Sequence, residues 1–218
     1  MNDSLWMQLT AYFSNNMHVF LATGKEHIII SLLALLCSAS IGIVLGYVTC
    51  KYKRTEKWIV SLFQVLRIMP SLAVLLLLIP IMGTGTKPAL IALVLLGIPH
   101  ILMNMIAGLE SVPSFLLEAA HGVGMSEQQV MWRVKFPLAA PMILTGIKIA
   151  AIEVIASATL AAKIGAGGLG EIIFTGLGLN RVDLLLIGGF SVGILAITVG
   201  VMLDMSERIL FKYRFLKR

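Results

Sequence analysis

Between Ile28 and Val48 the chain carries no charged residue. About 20 such residues let a helix cross the hydrocarbon core of a bilayer, where each backbone polar group must be satisfied within its own segment. Comparable apolar stretches recur at 59–81, 89–109, 138–162 and 184–203. With 58% hydrophobic and 13% charged residues, the 218-residue chain is too apolar for a soluble domain of this length. The pattern predicts an all-α membrane protein with about five transmembrane helices. The net charge of +6 lies in short blocks beside these stretches, which encodes membrane orientation and argues against a nucleic-acid partner. Cys37 and Cys50 share one apolar run and offer no metal spacing, so they read as packing residues.

One long amphiphilic segment, 112–137, interrupts the apolar pattern. Pro113 suits the first turn of a helix through Glu118, and Gly122 and Gly124 allow a turn. Ser126 with Gln129 reads as a capping box that opens a second helix, which Pro137 is expected to end after Lys135. The segment is similar to the signature of binding-protein-dependent ABC-transporter permeases. That signature is Glu-Ala-Ala, three intervening residues, Gly, nine more, then Ile-x-Leu-Pro. It is matched by Glu118, Ala119, Ala120, Gly124, Val134, Phe136 and Pro137, with Val and Phe replacing Ile and Leu. The resemblance implies a cytoplasmic coupling loop docked on an ATP-hydrolysing subunit; an amphipathic loop lying on lipid is the competing reading.

The second stretch contains Arg67, Pro70 and Pro80, so a break facing protein or a water-lined path is expected. Arg67-Ile68-Met69-Pro70-Ser71-Leu72-Ala73 resembles the Pro-Ser-Leu-Ala segment of permeases for glycine betaine, carnitine and choline. Arg67 is either a path charge or a side chain snorkelling to the cytoplasmic face. His100 lines a path or bonds between helices. Glu153 lines a path or pairs with a charge on another helix, and Lys148, five residues away, is poorly placed to be that partner. Pro70 and Ser71 complete the path candidates. Gly42 with Gly46 and Gly189 with Gly193 are small-residue pairs suited to close helix packing.

Gly165, Gly167 and Gly170 spell G-x-G-x-x-G, but the motif follows an apolar helix and not a buried strand, which excludes dinucleotide binding. With Gly168, this segment is similar to the glycine-rich turn of osmoprotectant and methionine permeases, which implies a turn or gate near the path.

Residues 1–27 are expected to form an external, interfacial segment, 28–207 the transmembrane permease domain, and 208–218 a basic cytoplasmic tail. Of the 17 Lys and Arg, eleven fall in segments expected inside, among them the block Lys51, Lys53, Arg54 and Lys57. Four fall outside and two in the membrane. This bias places the N-terminus outside and the C-terminus in the cytoplasm.

No phosphate-binding loop, zinc-binding helix or nucleophile elbow is present, so neither a catalytic residue nor a metal ligand is assigned. The resemblance implies a methionine-permease-like importer fold in a bacterial inner membrane. It further implies ATP and Mg on partner ATPase subunits, a second permease chain and an external solute-binding protein. The solute class implied is glycine betaine, carnitine and choline, with methionine or another small solute as the alternative. An ATP-independent carrier using Arg67, Lys148 and Glu153 is the reading from another class.

Overall fold

The computed structural model describes residues 4–211, and these form helices and connecting turns with no strand. The elements are α1 (Leu5–Lys51), α2 (Lys53–Ile68), α3 (Ser71–Met82), α4 (Thr86–Glu110), α5 (Ser114–Gly122), α6 (Glu127–Val130), α7 (Phe136–Ala161), α8 (Gly170–Gly178) and α9 (Val182–Leu210). Four long apolar helices meet the length of a membrane crossing, and the bent pair α2–α3 brings the number to five.

α4 is the centre of the bundle, and glycines set its distance from both neighbours. A Cβ at Gly46 of α1 would lie 2.4 Å from Met105 Cγ, and one at Gly42 would lie 3.0 Å from Ile101. On the other side, a Cβ at Gly146 of α7 would lie 2.7 Å from Asn104 Cβ, and one at Gly108 of α4 would lie 2.9 Å from Met142 Cβ. These contacts fix α1 parallel to α4 and α7 antiparallel to it. The pair Gly42 and Gly46 therefore packs as its spacing predicts, whereas Gly189 and Gly193 meet nothing within 4 Å in this chain.

Three expectations are corrected. Residues 5–27 continue into the first span: α1 consists of two helical segments that meet at a kink at Asn16, where φ is −125° and ψ 19°. Tyr12 in this arm packs with Leu169, Ile172, Leu184 and Ile187, so the arm is part of the bundle, and the boundary at 27/28 falls inside a helix. The boundary at 207/208 also falls inside a helix, α9, and residues 212–218 of the basic tail lie outside the described residues.

Second, Arg67 and Pro80 do not break the second stretch. Arg67 lies in the last turn of α2 and Pro80 within α3. The break is at Met69–Pro70, where α2 and α3 meet at 102°. Steric conflict with the Pro ring keeps the preceding residue out of the helical region, and Met69 is extended at φ −67°, ψ 133°.

Third, Pro137 ends nothing. It occupies the first turn of α7, where its missing N–H is harmless, and the chain before it widens into a π turn over Met131–Lys135. There the Phe136 N–H donates to Met131 C=O, five residues back.

Candidate functional site

At one end of the bundle, the turn after α4 delivers the chain to Pro113, which stands immediately before the first residue of α5. Within α5, Ala120 is buried while Glu118 and Ala119 point outward. Gly122 is still helical; Gly124 alone makes the reversal, with φ +81°. The Met125 N–H donates to Ala120 C=O at 3.1 Å and the Gly124 N–H to His121 C=O at 2.9 Å, closing the end of α5. Leucine-like side chains cannot adopt this φ without strain, which is the reason for glycine here.

The capping box exists in full. The Gln129 N–H donates to Ser126 Oγ at 3.4 Å, and the Ser126 N–H donates to Gln129 Oε1 at 2.9 Å. His121 Nε2 lies 3.6 Å from Glu127 Oε1 across the turn. Val134 and Phe136 are half-buried against the bundle, and Pro137 is exposed. The loop holds apolar side chains away from the core: Phe115 is 64% and Val123 79% exposed. Together with Glu118 and Ala119, they make a mixed apolar and acidic surface on a helix–turn–helix.

The path candidates come from four elements. Arg67 is exposed at the end of α2, Pro70 precedes α3, and Ser71 is half-buried as its first residue. His100 of α4 and Glu153 of α7 are each half-buried. Glu153 accepts a hydrogen bond from Ser157 Oγ at 3.0 Å, and Lys148 finds Asp204 of α9 with Nζ 2.6 Å from Oδ1. The two intramembrane charges are thereby partnered apart from each other, as their spacing predicts.

At the opposite end, Gly165, Gly167 and Gly168 have φ of +79°, +78° and +86°. They bend the chain from α7 into α8. The Gly85 N–H donates to Ile164 C=O at 2.6 Å, so the turn before α4 and the glycine-rich turn are joined. Gly170 is compulsory for another reason, since a Cβ there would lie 2.1 Å from Thr159 O.

Sequence reasoning missed what holds this turn. Glu26 of α1 accepts from the Gly168 N–H at 3.1 Å, and the fully buried His27 Nε2 lies 3.1 Å from Ile155 O on α7. A charged residue beside a histidine at the very edge of an uncharged run was the available signal. Glu26, Gly165, Gly167 and Glu171 line a cavity of about 430 Å³ at this end. Nearby, the Arg181 guanidinium donates to the buried Asp183 carboxylate, with Nε 3.2 Å from Oδ1, which raises the guanidinium above its ordinary pKa.

Residues 38–212 match the model of the binding-protein-dependent transport system inner membrane component. The chain belongs to this family. Among relatives of this permease, a carnitine transport permease protein of Listeria monocytogenes is 38% identical over 91% of each chain. A choline transport system permease protein of Bacillus subtilis is 39% identical over 84% of each. In three dimensions the permease superposes on a chain of the inward-facing MetNI methionine ABC transporter with a TM-score of 0.80 at 20% identity. That superposition covers 89% of this chain and 97% of the other, which shows a methionine-permease-like fold.

Proposed function

We propose that this permease is the membrane-spanning subunit of an ATP-driven importer of compatible solutes of the glycine betaine, carnitine and choline class. The observation that carries the coupling half of this reading is the exposed helix–turn–helix at 114–130, which holds Glu118 and Ala119 outward around the left-handed Gly124. The solute class rests on the relatives, which carry carnitine and choline.

In this reading the loop end is cytoplasmic and the glycine-rich end is external. The loop docks on an ATPase subunit that binds ATP and Mg. Glu118 supplies polar contacts, Ala119 close packing, and Val134, Phe136 and Pro137 carry the loop into α7. Nucleotide states that bind the loop with different free energies shift the permease between inward-facing and outward-facing forms. Arg67 is exposed and His100 and Glu153 are only half-buried in the single chain, so a second permease chain, identical or homologous, supplies the other wall of the path. Pro70 and Ser71 stand at the bend beside that path, where the Pro70 C=O accepts from the Ala73 N–H at 2.9 Å and opens α3. The turn of Gly165, Gly167, Gly168 and Gly170 forms the external gate, below a solute-binding protein that selects the cargo. The bundle, the arm of α1 included, serves as the permease unit in a bacterial inner membrane, with the N-terminus outside and the basic C-terminal tail within.

Uptake of radiolabelled betaine, carnitine, choline and methionine at high osmolarity tests this, in cells lacking their own osmoprotectant uptake and supplied with the whole system. ATP-dependent uptake of a quaternary ammonium solute is expected. Uptake of methionine alone would overturn the solute class, and uptake by the permease chain without an ATPase would overturn the mechanism.

A further inference from the structure

The docking loop is joined covalently to α4 and α7 only, yet its exit also touches α1. Trp132, in the π turn between α6 and α7, stacks on Tyr47 of α1 with ring centroids 5.9 Å apart and an interplanar angle of 29°. Phe136, one helical turn on, tilts against the same indole at 38° with centroids 5.2 Å apart. Lys51 Nζ lies 5.9 Å from the centroid of the Tyr47 ring, one helical turn further along α1.

The anchorage of this stack is unusual for an interfacial tryptophan. Indoles at a membrane surface ordinarily stand among lipid headgroups, and Trp6 and Trp58, each 78% exposed, are free to do that. Trp132, 56% exposed, instead holds contacts with two rings of the protein. Tyr47 and Phe136 both pack against the cluster of Met105, Leu109, Ala139 and Ile143, which joins α4 to α7. Tyr47 also follows Gly46, whose lack of a side chain lets α1 pack tightly on Met105 of α4. A push on the loop at Trp132 therefore reaches α1 directly and meets α4 and α7 through the same cluster. The π turn beneath it suits such a joint, because one residue more than an α-turn holds can be taken up or released, and π turns of this kind recur at functional sites.

We infer that Trp132, acting through Tyr47, is a positioning residue that makes α1 move with α4 and α7 when the docked ATPases close. This rests on the proposed docking function of the loop. It extends that function to a helix the loop signature does not include.

The test uses the complete importer in proteoliposomes, with solute uptake and ATP hydrolysis measured together. Trp132→Ala and Tyr47→Ala should each leave assembly with the ATPase and ATP hydrolysis in place while solute moved per ATP falls about fivefold or more. Trp132→Phe, which keeps a ring, should retain most coupling, and Trp132→Leu, which keeps apolar bulk without one, should not. These two decide the matter if the alanine variant fails to assemble. The double variant should be no worse than the poorer single one, since both remove one contact. An unchanged ratio in Trp132→Ala, equal losses in Phe and Leu, or losses that multiply in the double variant would overturn the inference. If the wild type moves solute without ATP, the docking reading fails first and this one with it. An ATP-driven wild type with an indifferent Trp132 sinks this inference alone.

Discussion

Lys148 of α7 and Asp204 of α9 form an ion pair, Nζ 2.6 Å from Oδ1, that ties the last helix to the centre of the bundle. Lys148 is about a quarter exposed and Asp204 about half, so water screens the pair in part. Its loss is still costly because one charge would remain on an apolar helix face. Asp204→Asn should destabilise the permease by about 1 kcal/mol, a figure discounted for that exposure. Lys148→Met with Asp204→Leu should recover most of it. Thermal unfolding in detergent, followed by the loss of monodisperse protein, checks this: a double variant less stable than Asp204→Asn refutes it.

The Gly168 turn depends on packing from α1. His27 is fully buried, and its Nδ1 has no hydrogen-bond partner. Removing the ring leaves a cavity, whereas an apolar ring-sized replacement removes an unsatisfied acceptor at the same time. His27→Ala should therefore cost about 2–4 kcal/mol and His27→Leu clearly less. Comparing melting temperatures of the two variants decides the order, and equal losses would mean that the bond to Ile155 O dominates.

The spans and the α2–α3 bend were legible because each follows from local facts: an uncharged run of sufficient length, and a proline that bars helix from the residue before it. The capping box at Ser126 and Gln129 was legible for the same reason. The fate of Pro137 was not. Whether proline stops a helix or begins one depends on whether the preceding turn can widen, and that is settled by how Met131 and Phe136 pack on the bundle. Nor was the arm 5–27, since its helical continuation is held by Tyr12 against Leu184, a contact between residues far apart in sequence. In the candidate site, the loop residues share one continuous segment and could be read together. Arg67, His100 and Glu153 stand on three helices far apart in sequence, so nothing local reads them together.

Two glycines separate packing from spacing. A Cβ at Gly170 would fall 2.1 Å from the Thr159 carbonyl oxygen, which is backbone and cannot rotate away, while Gly193 has nothing within 4 Å. Gly170→Ala should destabilise by at least the ~1–3 kcal/mol typical of an overpacked site. Gly193→Ala should leave the stability of the single chain unchanged or slightly raised, because alanine favours helix over glycine. Melting curves of both variants in the same detergent provide the comparison, and a harmless Gly170→Ala would show that the turn can shift.

Gly124 tests whether the loop acts as a docking device. Its φ of +81° is accessible to glycine without penalty, and no atom lies within 4 Å of a Cβ built there, so a substitution disturbs the turn and its outer surface without crowding the bundle. Gly124→Asp puts a side chain into the left-handed region, which Asp and Asn bear better than other residues do. It also adds a negative charge near the exposed Glu118 and Glu127. Insertion and the melting of the transmembrane helices should be retained, while uptake is abolished and recovery of the ATPase in a mild-detergent pull-down falls sharply. Gly124→Asn, which tolerates the left-handed region and adds no charge, should keep part of both activities. Normal uptake by Gly124→Asp would remove the loop from the coupling mechanism, and loss of uptake with full ATPase recovery would move its role from docking to transmission.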